Sequence, residues 1–148
     1  VKNMKLVVCV DDNMGMSFNS RRVSQDSEVV NRIRSLACKE ILWMSGYSVR
    51  LFLEQSSSGD QPDSVHVCIS DEPEKSARAD DYCFVENREL NLDTIKNAKE
   101  IVLFRWNRKY PSDVKFTIPL ELYWTLKKSV EFSGTSHDKI TMEVWNHV

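Results

Sequence analysis

The stretch Lys5-Leu6-Val7-Val8-Cys9-Val10-Asp11-Asp12-Asn13-Met14-Gly15 decides the fold class of this chain. A short apolar run rich in β-branched residues is followed at once by residues that favour turns, which predicts a buried strand that ends in a loop. A strand that is apolar on both faces is typical of the centre of a parallel sheet. We therefore place this first strand at the centre of an α/β sheet.

Segments with helical and strand-like patterns follow the first strand. Val29, Ile33 and Leu36 recur at helical spacing, and either Ser24 or Asp26 is in position to cap the helix that they predict. We expect the next strand, at 40–44, to be the neighbour of the first in one sheet. Further strands are predicted at 65–69, 82–85 and 101–106, with short helical segments at 48–52, within 72–81 and near 92–99, and a polar loop at 55–64. The run at 101–106 is apolar at five of its six positions, so both of its faces should be covered.

The pattern of apolar and polar residues changes near the end of the sequence. Residues 124–132 and 140–145 alternate apolar and polar side chains, and the turn Ser133-Gly134-Thr135-Ser136 joins them, which predicts an antiparallel hairpin. We therefore predict one α/β domain over residues 1–148, with helices on both faces of a mixed sheet that has a parallel centre and an antiparallel C-terminal hairpin.

Composition excludes several classes of protein. The 148 residues carry 20 Lys and Arg against 22 Asp and Glu, so the formal net charge is -2 and no general attraction to nucleic acid or to an anionic membrane is expected. No apolar run reaches the ~18 residues of a membrane span. The four cysteines form no CxxC pair and no secretory segment opens the chain, which favours a cytoplasmic location with reduced thiols.

Two clusters of cations follow predicted strands. One lies in the loop after the first strand and the other at the end of the run at 101–106, where open α/β sheets place their ligand crevices. If the two strand ends adjoin, their guanidinium groups would form a pocket for an anion. The alternative is that Trp106 packs in the core while the arginines pair with surface carboxylates. The candidate ligand-binding residues in the two clusters are Asn19, Arg21, Arg22, Arg105, Asn107 and Arg108.

A catalytic triad or a metal site is not indicated by local spacing. Ser136, His137 and Asp138 offer a hydroxyl, an imidazole and a carboxylate, but sequence neighbours on a strand point to opposite faces, so a role in the hairpin turn is favoured over a relay. Turn formation accounts for Asp11 and Asp12. We therefore predict no metal site.

Several segments resemble the dihydrofolate reductases in order and spacing. Residues 6–16 with Asn19 are similar to the opening strand and substrate loop of that family, residues 39–48 to its second strand and the start of its phosphate-contacting helix, and residues 111–116 and 124–137 to its closing segments. The resemblance implies the scaffold of that family. It also implies that the catalytic carboxylate corresponds to Asp26 or Glu28, and that Ser48 keeps the hydroxyl of the family's Thr.

The departures from that family fall at its chemical sites. Arg21-Arg22-Val23 stands in place of a Pro-Trp step, Gly46 replaces the phosphate-contacting Arg, and no Gly-Gly pair follows any strand to admit a dinucleotide pyrophosphate. We therefore expect no bound cofactor. The leading hypothesis is a non-reductase binding or regulatory module for an anionic metabolite or nucleotide, and the alternative is an NADPH-dependent reductase in which Asp26 or Glu28 donates a proton. Whether the chain is an enzyme is left open at this point.

A second resemblance is to a small uncharacterised bacterial family that is sometimes labelled ribonuclease Z. It rests on the segments 8–12, 15–22, 82–87, 105–113 and 136–141. The label implies a nucleic-acid processing protein, which is the third hypothesis. Such phosphodiester hydrolysis uses two metal ions and converging ligands, whereas His66, His137 and His147 occur singly, so the residues argue against it. The sequence does not indicate an oligomeric state.

Overall fold

The computed structural model describes residues 3–54, 66–96 and 98–147. The polar loop predicted at 55–64 lies outside the described residues. The strands are β1 (Lys5–Val10), β2 (Gly15–Phe18), β3 (Arg21–Arg22), β4 (Ile41–Met44), β5 (His66–Ile69), β6 (Tyr82–Phe84), β7 (Glu100–Arg105), β8 (Val114–Lys115), β9 (Trp124–Phe132) and β10 (Ile140–His147). The helices are α1 (Ser27–Leu36), α2 (Gly46–Glu54), α3 (Pro73–Ser76), α4 (Leu92–Ile95) and α5 (Leu120–Tyr123).

A seven-stranded mixed sheet in the order β5-β4-β6-β1-β7-β10-β9 forms the body of the fold. β1 pairs in parallel with β6 and β7, and β4 pairs in parallel with β5 and β6. β10 runs antiparallel to both β7 and β9, which makes the closing hairpin. The predicted mixed sheet, with β1 at its centre and an antiparallel end, is confirmed.

The expected adjacency of β1 and β4 is wrong, because β6 lies between them. Leu6 on β1 is the register partner of Cys83 on β6, and Trp43 on β4 is also a partner of Cys83. All three residues of β6 are buried. A strand that is apolar on both faces is typical of the interior of a sheet. β6 therefore lies between β1 and β4, although both precede it in the chain.

A second sheet of three short strands, in the order β3-β2-β8, was not predicted. β2 pairs antiparallel with β3 and with β8, so the chain that follows β1 is tied to the segment before the closing hairpin. Strands of two to four residues are too short to show a period-two pattern in the sequence.

The large sheet separates two apolar cores. Alternation along β1 sends Leu6 and Val8 to one side, against α4 and α5, and Val7 to the other, against α1 and α2. Helices therefore cover both faces of the sheet, as predicted. In the described part of the chain, no helix combines the length and the apolar character that a membrane crossing requires.

Asp26 begins α1 and fixes where this helix meets the rest of the fold. Its extended backbone and its side chain, which accepts a hydrogen bond from the N–H of Glu28 at 2.9 Å, make it the N-cap. One of the two predicted caps is thus confirmed. Val29, Val30 and Ile33 are buried on the side of α1 that faces the sheet, which directs the start of the helix toward the turn between β9 and β10.

Candidate functional site

Three side chains meet at the carboxyl ends of the parallel strands, where open α/β sheets have their crevice. Glu86 follows β6, Ser48 lies in α2 after β4, and Arg22 is in β3 after β1. Arg22 donates Nε and Nη2 hydrogen bonds to the two Glu86 carboxylate oxygens at 2.8 and 3.1 Å, and Ser48 Oγ donates to Glu86 Oε1 at 2.8 Å. We name these three residues the crevice cluster.

Further hydrogen bonds close the same crevice from the β1 side. Ser17 Oγ donates to Asn87 Oδ1 at 2.9 Å, and Asn87 Nδ2 donates to the carbonyl of Ser20 at 3.4 Å. The Arg22 guanidinium carbon lies 4.4 Å from the centre of the Tyr47 ring, whose hydroxyl accepts the Arg22 N–H at 2.9 Å. The protein's own side chains therefore join the β2–β3 segment, which follows β1, to the residues that follow β6.

The crevice cluster does not fit the nicotinamide dinucleotide that the resemblance to dihydrofolate reductases implies. β6 is followed by Val85-Glu86-Asn87-Arg88, with no glycine to let the backbone approach a pyrophosphate. The Glu86 side chain is only 7% exposed, and its ion pair with Arg22 has no net positive charge to offer a pyrophosphate at this edge. The cation that could offset the pyrophosphate charge, Arg22, is already paired with Glu86.

An open cleft of about 580 Å³ lies beside the crevice cluster. Three of the predicted ligand-binding residues line it, namely Asn19, Arg21 and Arg22, and so does Tyr110. Arg22 is neutralised by Glu86, whereas Arg21 is exposed and makes no ion pair within the described ranges. Asn19 has a left-handed backbone, with φ of 54°, and its N–H donates to Asp113 Oδ2 at 3.1 Å. Arg21 is therefore the cation that this cleft offers to a ligand.

The second predicted cluster does not join this cleft. Arg105 pairs with Glu143 at 3.0 Å and lines a separate pocket of about 420 Å³ with Lys115. Asn107 donates to Thr141 Oγ1 at 3.0 Å, and Arg108 is exposed. The Trp106 side chain is buried, as the alternative interpretation required.

A chain of hydrogen bonds runs from Asp26 through His137 to Ser24. His137 Nδ1 lies 3.0 Å from Asp26 Oδ2, and His137 Nε2 lies 2.9 Å from Ser24 Oγ. Tyr110 Oη is 3.2 Å from the same Nε2 and 3.4 Å from Ser24 Oγ. We name Ser24, His137 and Asp26 the relay. His137 lies in the hairpin turn, as predicted, where its carbonyl accepts the Gly134 N–H at 2.8 Å, but its ring contacts residues far away in sequence.

The Asp26 carboxylate is buried and surrounded by donors from the hairpin turn. Burial by itself would raise its pKa, but hydrogen bonds from the N–H groups of Thr135 and Ser136, from His137 and from the N–H of Glu28 outweigh this and hold the pKa well below its usual range. Glu28, the other candidate carboxylate, is half-buried in the first turn of α1 and lines a different pocket, with Arg32 among others. The structure thus separates the two candidates.

Packing fixes the His137 ring. Trp106 stacks on it with ring centres 4.8 Å apart and an angle of 27° between the planes. Gly134 lets the turn lie against Asp26, because a Cβ at this position would be 2.5 Å from Asp26 Oδ2. Sequence reasoning missed this arrangement, because Asp26 and His137 are 111 residues apart and no local motif joins them.

The described residues contain no group of three or more His, Cys, Asp or Glu side chains that could hold a metal ion. No family model matches this chain, and no curated protein matches it either. Among solved structures, it is similar to a dihydrofolate reductase from Enterococcus faecalis in complex with NADP(H) and RAB-propyl, with a TM-score of 0.63 and 10% sequence identity over 97% of this chain and 95% of the other. At that identity the likeness concerns the fold, and we conclude that this chain has a dihydrofolate reductase-like fold.

Proposed function

We propose that this chain binds an anionic metabolite or nucleotide in the cleft between Asn19, Arg21 and Tyr110, and that it is not a reductase. The observation that carries the proposal is the Arg21 guanidinium, which is exposed at the cleft and makes no ion pair within the described ranges. A guanidinium forms paired hydrogen bonds with phosphate or carboxylate groups, and such charge-assisted bonds are about twice as strong as neutral ones.

The other walls of the cleft suit a small molecule with a ring and an anionic end. Phe18 is 45% exposed and offers an aromatic face for stacking. Tyr110 and Asn19 line the same cleft and are both polar residues. A volume of about 580 Å³ is within the usual size of ligand pockets, roughly 300–1,000 Å³. A nucleoside monophosphate meets these requirements.

Calorimetric titration with adenosine monophosphate tests the proposal, with inorganic phosphate as the probe for the anionic end alone. We expect saturable binding to the wild type that weakens by about 10-fold to 100-fold in Arg21→Ala, the loss of one charged hydrogen-bonding group. Arg50→Ala, which removes another exposed arginine from α2, is the matched control and should bind as the wild type does. Absence of binding, or equal weakening in both variants, would contradict the proposal.

A reductase is the second candidate, and the fold likeness is the observation that favours it. Against it stand the Glu86 carboxylate in the crevice and the Asp26 carboxylate, which is bound by the protein's own donors and has a lowered pKa that makes it a poor proton donor. Oxidation of NADPH in the presence of dihydrofolate, abolished by Asp26→Asn or Glu28→Gln, would establish this candidate in place of the first.

A further inference from the structure

We propose that Ser24, His137 and Asp26 are the nucleophile, base and orienting acid of an acyl-transfer site that hydrolyses small carboxylic esters. The inference goes beyond the proposed function and does not depend on it, because the reacting groups are the Ser24 hydroxyl and the His137 imidazole rather than the Arg21 guanidinium. It rests on how three separate segments of the chain meet at one imidazole ring.

The distances have the order that a nucleophilic relay requires. When the neutral ring carries its proton on Nδ1, it donates to Asp26 Oδ2 over 3.0 Å, and Nε2 is left to accept the Ser24 hydroxyl proton over 2.9 Å. Both distances are within hydrogen-bond reach of a base and its nucleophile, about 2.6–3.2 Å. Such a triad is recognised by geometry and roles, and the order of its members along the chain does not matter.

The ring is held in this position from several sides. Trp106 stacks on the His137 ring, and the His137 side chain is only 3% exposed. Asp26 is fixed in turn, because the N–H groups of Thr135 and Ser136 each donate to its carboxylate at 2.8 Å. Preorganised groups of this kind need no rearrangement during the reaction, which is the condition for efficient catalysis by a relay.

The nucleophile is adjacent to two residues that line the open cleft, Val23 and Tyr110. Ser24 is half-buried and directly follows Val23, which lines the cleft together with Tyr110. Tyr110 Oη is 3.4 Å from Ser24 Oγ, so its hydroxyl can donate to the oxyanion that develops beside the nucleophile. An ester that binds in the cleft against Tyr110 would therefore lie close to the Ser24 hydroxyl.

The reaction balances with water as the co-reactant. Ser24 Oγ forms a bond to the carbonyl carbon of the ester and passes its proton to His137 Nε2; the C–O bond to the alcohol then breaks, and the alcohol leaves with that proton. Water attacks the acyl-serine in the second half, gives a proton to His137 Nε2, and releases the carboxylic acid as Ser24 takes the proton back. No oxidant, metal or cofactor enters either half.

The same hydrogen bonds would form if these residues only held α1 against the hairpin. The test must therefore measure the reactivity of Ser24. The probe is a fluorophosphonate, which forms a Ser24 Oγ–P bond as the P–F bond breaks and fluoride leaves. Intact-mass analysis and peptide mapping should find one adduct on Ser24 in the wild type. The adduct should be absent in Ser24→Ala, while Ser35→Ala, which removes an exposed serine from α1, should be labelled like the wild type.

The rate of labelling separates the relay from an exposed hydroxyl. His137→Gln should slow labelling by on the order of 10²-fold to 10⁴-fold, the usual contribution of a general base. Circular dichroism checks that each variant is folded, including Ser24→Ala, which removes the hydroxyl that contacts His137 and Tyr110. Turnover of p-nitrophenyl acetate should follow the same order and should be unchanged in Ser35→Ala. No adduct on Ser24, or an adduct that forms as fast in a folded His137→Gln variant, would overturn the proposal.

Discussion

Replacing Asp26 by alanine should destabilise the fold far more than the loss of an ordinary helix cap. The substitution removes the acceptor for the Glu28 N–H at the start of α1, which typically costs about 1 kcal/mol. It also leaves the N–H groups of Thr135 and Ser136 without the carboxylate that they bind at 2.8 Å. Each donor that loses its partner adds about 1–3 kcal/mol, less where water can replace the carboxylate, so we expect a loss of about 3–5 kcal/mol in the free energy of unfolding.

Asn91→Ala is the matched control. Asn91 caps α4 by accepting the Thr94 N–H at 2.8 Å, but it holds no distant segment, so its loss should cost about 1 kcal/mol. Urea unfolding of the wild type and both variants at pH 7, followed by circular dichroism, measures the difference. Equal losses in the two variants would refute the view that Asp26 joins α1 to the hairpin.

The pH dependence of this effect has a definite sign. The folded pKa of Asp26 lies below the value of the unfolded chain, about 3.9, so its ionised form stabilises the fold fully above about pH 5. That stabilisation is lost as the pH falls below about 4 and toward the folded pKa. The difference between wild type and Asp26→Asn should therefore shrink between pH 5 and about pH 3, and a difference that grows on acidification would contradict the account.

Three further predictions concern other parts of the site. Gly134→Ala should lower stability, because its Cβ would lie 2.5 Å from Asp26 Oδ2 and 2.7 Å from Ile140 Cδ1, whereas Gly46→Ala meets nothing within 4 Å; thermal unfolding of the two variants compares them. Arg22→Met should lower the free energy of unfolding by about 2–4 kcal/mol, because the mostly buried Glu86 carboxylate loses its ion-pair partner. The double variant Arg22→Met/Glu86→Gln should recover part of this loss, as measured by urea unfolding. Iodoacetamide should modify Cys9 at least about ten-fold more slowly in the folded protein than in urea, because burial, and to a lesser extent the negative charge of Glu86, raise the pKa of this thiol. Peptide mass spectrometry gives both rates, and equal rates would contradict the prediction.

The sheet was predictable to the extent that its strands are long enough to show a pattern. β1 and β7 are continuous apolar runs, and β9 and β10 alternate, so the parallel centre and the antiparallel end follow from residue order alone. The insertion of β6 between β1 and β4 was not predictable, because strand order depends on how crossovers pack rather than on any local pattern.

The candidate site divides in the same way. Asn19, Arg21 and Arg22 lie close together in sequence and line one cleft, so their grouping could be predicted from the sequence. The hydrogen-bond partners of the site residues are remote in sequence. Glu86 is 64 residues from Arg22, and His137 is 113 residues from Ser24. A single sequence contains no signal for such pairs. Alternation along a strand excludes a relay only between His137 and its immediate neighbours in the sequence.

The central proposal is that Glu86, held at the carboxyl ends of the parallel strands by Arg22 and Ser48, excludes a nicotinamide dinucleotide from this crevice. Titration of the wild type with NADPH, followed by fluorescence, tests this most directly. The account predicts no saturable binding up to about 1 mM, a level at which even a weak site of about -4 kcal/mol would begin to fill. Saturable binding of NADPH with a Kd below about 1 mM would contradict it.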